Sequence, residues 1–339
     1  MGDNSSTAWD GLRAHLHTTQ LIGGIHSTLY FDQNTVMPAA AAGWRGEQLA
    51  LLAQQLHERQ TSSSYQELLA AAEQERPVGA PPEQHHNLRL LQRELARQSR
   101  LDPKLVGALA QAQAEGYSRW QEAKRTNQFA LFAPALQQLI GLRLEQAQQL
   151  APVETEADGT PRSAWEILAQ PFEPDINKQQ LAVLLLPLRD LLPPLLDQAR
   201  NLPVGSSEPW DLSETQQESL CAELLDGWGY NRERCQRARS PHPFSCTLGP
   251  DDFRITTRVV GSQPFSAFLA TAHEWGHSLY EQGLPRSGEH WFPWPLGEAT
   301  SMAVHESQSL FYENRLGRSQ AMARRWHPRF TAALGRDVW

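Results

Sequence analysis

The stretch that decides the fold reads Phe265-Ser266-Ala267-Phe268-Leu269-Ala270-Thr271-Ala272-His273-Glu274-Trp275-Gly276-His277-Ser278-Leu279-Tyr280, and it runs on to Gly283. Phe265, Phe268, Leu269 and Ala272 recur at three- and four-residue steps, which predicts an amphipathic helix with that stripe turned inward. Residues four apart share a helix face, so His273 and His277 can grip one metal ion. Glu274 then lies beside the ion, placed to take a proton from an activated water. The competing reading is a chance HExxH in an ordinary helix. With 12 His in 339 residues, few chains carry the pattern by luck, so it points to zinc chemistry without settling it.

Outward from this helix the same periodicity dominates. Residues 44–59 place Leu49, Leu52, Ala53 and Leu56 on one stripe, and similar patterns run over 84–98, 103–125, 134–150, 177–191 and 213–225. Proline and glycine mark loops at 77–82, 151–161 and 202–209, and Asp175 and Asn177 are N-cap candidates for the helix that follows. The most apolar stretch, 181–196, is interrupted by Pro187, Arg189, Asp190, Pro193 and Pro194, which predicts one or two core helices and not a membrane span. A strand is predicted only over 253–260, where β-branched residues cluster before Gly261. The fold class is therefore all-α (mainly α) with a small β element near the active site. It reads as one mainly helical domain over 1–339, with a helical part over 1–170 and a zinc-binding part over 171–339.

Composition narrows the function classes. Lys+Arg 30 against Asp+Glu 38 gives a net charge of −8, opposite in sign to a nucleic-acid-binding chain. Three cysteines are too few for a disulfide framework and predict a reducing, cytoplasmic setting. Cys235, His242 and Cys246 lack the CxxC spacing of a zinc knuckle and read as ordinary thiols and a loop histidine. The first six residues carry neither a basic n-region nor an apolar core, and they read as a frayed start.

Two imidazoles leave a catalytic zinc one protein ligand short, and no third histidine follows at the H-x-x-G-x-x-H spacing. The remaining ligand is therefore expected from a downstream carboxylate: Glu289, Glu298, Glu306 or Glu313. Spacing divides the choice between Glu298 and Glu306, which flank the start of the next helix, with Glu313 behind them.

At this point the sequence resembles the carboxypeptidase Taq family of metallocarboxypeptidases. The resemblance rests on His273-Glu274-Trp275-Gly276-His277 together with three further blocks in the family's order: His242-Pro243-Phe244 (its HPF motif), Asp252-Phe253-Arg254-Ile255-Thr256 (DxRxT) and His305-Glu306-Ser307-Gln308 (HES). Glu313-Asn314, Gly317-Arg318-Ser319, Asp32-Gln33 and Met37-Pro38 extend it over nearly the whole chain. The resemblance implies a helical, zinc- or cobalt-dependent, soluble and commonly dimeric enzyme that removes single C-terminal residues from peptides with broad tolerance. It also implies Glu306 as the third metal ligand, leaving Glu298 a supporting residue and Glu289 a loop charge.

Three more residues acquire candidate roles. His242 precedes Pro243, whose fixed φ would hold the imidazole against an active-site wall or in a turn. Arg254 can bind a substrate carboxylate bidentately, or pair with Asp252 and brace the zinc helix, the reading we prefer. His305 can orient water or substrate, or serve structure alone. The expected partners are peptides and a second copy of the chain, with neither nucleic acid nor membrane. The family's later IRxxAD and GWxxDxH motifs have no counterpart here, so the chain reads as C-terminally shortened. Arg324, Arg325, Trp326, Phe330, Leu334 and Trp339 are then expected to lack partners. A related zinc oligopeptidase and a metal-binding homologue with impaired turnover are the alternative functions.

Overall fold

A computed structural model of the chain describes residues 7–202, 210–286, 288 and 290–337. The N-terminal helices are α1 (Ala8–Thr35), α2 (Ala42–Thr61), α3 (Ser63–Gln74), α4 (Pro82–Gln98), α5 (Pro103–Thr126) and α6 (Ala133–Leu150). After α7 (Ala164–Ala169), α8 (Lys178–Arg200) and α9 (Glu214–Gly227) comes a small sheet of β1 (Cys235–Arg239), β2 (Ser245–Gly249) and β3 (Asp252–Thr257). The HExxH helix is α10 (Pro264–Gly283); α11 (Met302–Leu310) runs directly into a π-helical turn, Phe311–Gly317, and α12 (Gln320–Leu334) follows.

Local chemistry sets the helix ends. Thr7 and Asp10 form a capping box at α1, Ser213 and Gln216 another at α9, and Ser301 Oγ accepts from the Val304 amide at α11. Asn177 accepts from the Gln180 amide and caps α8, whereas Asp175 takes a left-handed conformation at φ 65° and pairs with Arg93.

Three apolar clusters position α10 and α11. Leu225, Cys235, Phe253, Ile255 and Trp275 join α10 to the sheet, and the Trp275 indole donates to the Trp228 carbonyl at 3.2 Å. Phe268 and Ala272 pack with Leu220 and Leu224 of α9 and with Trp326 and Phe330 of α12. The third cluster gathers Leu12, Leu16, Tyr65, Leu69, Leu88 and Leu91 around Trp294, which stacks on Trp9 at 3.8 Å. Fully buried Asn87 then clamps the approach to α11, donating to the His290 carbonyl and accepting from the Leu296 amide, both at 3.0 Å. This two-sided use of one amide fixes a loop that carries little regular structure of its own.

The expected strand forms, but it ends at Thr257, and residues 258–260 fall outside it. β3 is the central strand, parallel to β1 and antiparallel to β2. Neither neighbour was anticipated: Cys-Gln-Arg-Ala-Arg and Ser-Cys-Thr-Leu-Gly lack the alternation that marks a strand, and they are held by β3's free hydrogen-bonding edges. A second correction concerns α8. It is one continuous helix through all three prolines, none of its residues is buried, and Leu184, Leu185, Leu191 and Leu196 are each about half exposed or more. Its apolar composition signals burial, yet no described element supplies the covering surface. A third lies near the chain end, where Trp326 and Phe330 do find partners, on α9 and α10. Residues 203–209 of the loop expected over 202–209, the first six residues and Trp339 lie outside the described residues.

Gly276 is where α10 meets α11 and the π turn. A Cβ there would lie 2.8 Å from both the Gln308 carbonyl oxygen and the Ser309 Cα. Both are backbone atoms, so neither can rotate aside. Gly276→Ala would gain up to about 1 kcal/mol in helix propensity. Forcing the helices apart costs about 1–3 kcal/mol. The net effect is destabilising, and a thermal melt of Gly276→Ala should show a lowered midpoint; an unchanged or raised midpoint would show that α11 yields freely.

Candidate metal centre and active site

On α10 the buried face carries Ala267, Phe268, Thr271, Ala272, Trp275 and Ser278, which leaves His273 and His277 on a neighbouring face, turned toward α11. Their ring centroids lie 4.9 Å apart. Glu306 comes from α11, its Oε2 lying 3.2 Å from His277 Nε2 and 3.8 Å from His273 Nε2. One ligand atom from each residue falls within 4.8 Å of the others, forming the one His/Cys/Asp/Glu group of this geometry among the described residues. Cys221, Cys235 and Cys246 are free thiols, and the Cys235–His242–Cys246 combination does not assemble.

Charge in this group is unbalanced. Glu274, only 6% exposed, has its carboxyl pushed up to about 8 by burial first, and then by the negative charges of Glu306 and Glu313. His277 is pushed down to about 4, mainly by burial and then by His305 and His273. A buried carboxyl that resists ionising, two further carboxylates close by and an imidazole that resists protonation suit a divalent cation, and the nitrogen-and-carboxylate donor set fits zinc.

The other ring nitrogens are occupied too. His273 Nδ1 lies 3.0 Å from Glu313 Oε2, and Arg318 donates to the other Glu313 oxygen at 3.0 Å. Glu313 therefore stands behind His273, away from the converging donors. His277 Nδ1 meets His305 Nδ1 at 2.6 Å, and His305 Nε2 reaches Glu281 Oε1 at 2.9 Å. Arg286 closes this line on Glu281 Oε2 at 2.6 Å. Burial raises the Glu281 carboxyl, but the His305 hydrogen bond and the Arg286 charge outweigh it and hold the group below its ordinary value.

Among the remaining candidates, Glu298 accepts from Gln20 Nε2 at 2.6 Å on the wall of a cleft of about 740 Å³, which Glu281, Arg286 and His305 also line. Glu289 lies outside the described residues. Arg254 is paired bidentately with Asp252, at 2.8 and 2.7 Å, and its guanidinium lies over the Phe31 ring, so it ties β3 to α1. His242 is exposed in the β1–β2 turn, edge-on to Trp120 of α5 at 6.5 Å. In the same turn the Ser240 hydroxyl donates to the His242 carbonyl, and Thr256 of β3 receives the Phe244 amide. Glu281 is the residue that sequence reasoning missed. Its signal was present, since residues 273, 277 and 281 continue one row at four-residue steps.

No helix among the described residues is long and apolar enough to cross a membrane. The sequence profile of the Carboxypeptidase Taq (M32) metallopeptidase family matches residues 11–338. Thermostable carboxypeptidase 1 of Thermus thermophilus is 32% identical over 331 residues, an alignment covering 95% of this chain and 64% of that protein. Carboxypeptidase 1 of Bacillus subtilis is 27% identical over 317 residues, covering 92% of this chain and 60% of its own length. The crystal structure of the M32 carboxypeptidase from Deinococcus radiodurans R1 superposes with a TM-score of 0.81 at 30% identity, covering 98% of this chain and 66% of that one. The chain thus spans just under two thirds of the length of these relatives. With the profile running almost end to end and the HExxH, HPF, DxRxT and HES blocks all falling within it, the chain belongs to the carboxypeptidase Taq family of metallopeptidases.

Proposed function

We propose that this chain carries the zinc centre of a carboxypeptidase that releases single C-terminal residues from peptides with broad tolerance. The observation that supports it best is the convergence of His273, His277 and Glu306 beside the buried carboxyl of Glu274, in a chain of this family. In this reading His273, His277 and Glu306 would hold the metal. Zinc, when bound, supplies a Lewis acid that makes an adjacent water more acidic and polarises the scissile carbonyl. Glu274 accepts the water proton on its carboxylate and returns it to the leaving amine nitrogen. Its burial excludes competing solvent and keeps its proton affinity high enough for that return. The free thiols support a reducing, cytoplasmic setting, and the named relatives support peptides as substrates.

Arg254 enters this reading as a brace for β3, because its Nε and Nη2 donors are already committed to Asp252. That commitment favours a second reading, a chain that holds metal yet turns over peptide poorly. Release of single residues from an N-terminally blocked peptide, with the free acid and the C-terminal amide compared, separates the two. The expected result is a weak activity with little preference for the free acid. Robust hydrolysis confined to the free acid would show that a residue of this chain, with Arg254 first in line, anchors the carboxylate.

Two substitutions test the metal and proton roles. Glu306→Gln replaces an anionic donor with a neutral amide and should lose zinc on dialysis, whereas Glu298→Gln should keep it. The reverse pattern would move the third ligand to Glu298. Glu274→Gln should bind zinc nearly as well as the parent while its turnover falls by about 10²–10⁴-fold, the usual contribution of a positioned general base. Full retention of the parent's rate would remove Glu274 from proton transfer.

A further inference from the structure

Glu281 and His305 touch none of the converging donor atoms, yet their geometry constrains one of them. The His277 Nδ1–His305 Nδ1 separation of 2.6 Å requires one proton between the rings, carried by one partner and accepted by the other. If His277 offers Nε2 as a lone pair to a metal, a neutral His277 must carry its proton on Nδ1, so His305 Nδ1 must accept. His305 then carries its own proton on Nε2, and that nitrogen faces Glu281 Oε1 at 2.9 Å. With Arg286 holding the other Glu281 oxygen at 2.6 Å, the carboxylate is fixed as an acceptor. The alternative arrangement, with His305 donating to His277, would leave His277 protonated on Nε2 and unable to ligate. We propose that Glu281 is a positioning residue which, acting through His305, holds His277 in the tautomer and ring orientation that binds metal. The proposal rests on the zinc-site reading given above.

The two branches behind the histidines support this assignment. His273 has its carboxylate directly on Nδ1, from Glu313, and that carboxylate ends on Arg318. His277 has the same ending, a carboxylate closed by an arginine, with one imidazole inserted between. Carboxylates placed behind metal-binding imidazoles raise their basicity and fix the ring, and losing one typically weakens metal binding about 10–100-fold.

The test is the zinc dissociation constant of the full chain, measured by competition with a chromophoric chelator. Glu281→Ala and His305→Leu should each weaken zinc binding about 10–100-fold. The double variant should bind no worse than the weaker single, because both changes break one line. His305→Gln retains one acceptor and one donor, and it should recover most of the affinity that His305→Leu loses. A Glu281→Ala affinity within twofold of the parent, losses that multiply in the double variant, or equal weakness of the Leu and Gln variants would each overturn the proposal. If Glu281→Ala does not fold, the Leu and Gln comparison at position 305 decides alone. A parent that fails to bind zinc would instead defeat the reading of His273, His277 and Glu306, so the two failures are distinct.

Discussion

The close approach of α11 to α10 at Gly276 is the constraint on which the rest of the centre depends. The missing Cβ lets the Gln308 carbonyl and Ser309 Cα settle into space that any larger residue would fill. That contact sets the height at which α11 carries His305 and Glu306 over the row of His273 and His277. The opposite side of α10 is equally constrained, since Trp275 is fully buried between the sheet and Tyr230, and its indole is anchored on the Trp228 carbonyl. The HExxH helix is thus gripped by the sheet, by α11 and by α9 with α12, which leaves the face bearing the histidines to chemistry.

Electrostatics gives this arrangement its direction. A carboxyl as buried as Glu274 would normally be paired with a cation or hydrogen-bonded donor, since isolated buried charge is costly. Here the neighbours that matter are two more carboxylates, which push its proton affinity further up. The fold tolerates this because Glu306 is partly open to solvent and Glu313 is shared with Arg318. The centre therefore favours an added positive charge, and a divalent ion among the converging donors would offset the repulsion between Glu306 and the buried Glu274. The same physics explains why Glu281, despite its burial, behaves in the opposite way. It faces an imidazole and a guanidinium, whereas Glu274 faces acids.

Much of this was legible in the residues, and the gaps have physical causes. The apolar stripe of α10, the His-His pair and the β-branched run are local patterns, and they mark α10 and β3, although the strand stops three residues short of the run's end. Most of the predicted helices recur with ends shifted by one to a few residues, the usual consequence of caps that periodicity does not register. β1 and β2 escaped notice because they are strands by partnership, formed on the edges of β3 without an alternation of their own. α8 misled because leucine content reports an affinity for apolar surface without saying whether a described element provides it. Glu306 could not be separated from Glu298 by spacing alone, because the loop that delivers α11 is fixed by Asn87 and Trp294, more than 200 residues apart in sequence. For Glu281 the four-residue row marks its helix face, but its contact to His277 runs through an imidazole of another helix, which no local pattern registers.

That insertion has a structural consequence. Glu281 is four residues beyond His277 on α10, so the two side chains are neighbours on one helix face and a direct contact lies within reach. Instead His305 of α11 stands between them. Adjacent residues on α11 therefore serve one imidazole from two sides, Glu306 at its Nε2 edge and His305 at its Nδ1 edge. A direct Glu281–His277 bond would leave α10 self-sufficient and make α11 a donor of one carboxylate only. With the imidazole inserted, both contacts to His277, from His305 and from Glu306, depend on how α11 docks. Docking of α11 at Gly276 thereby couples the packing of two helices to the placement of all three converging side chains.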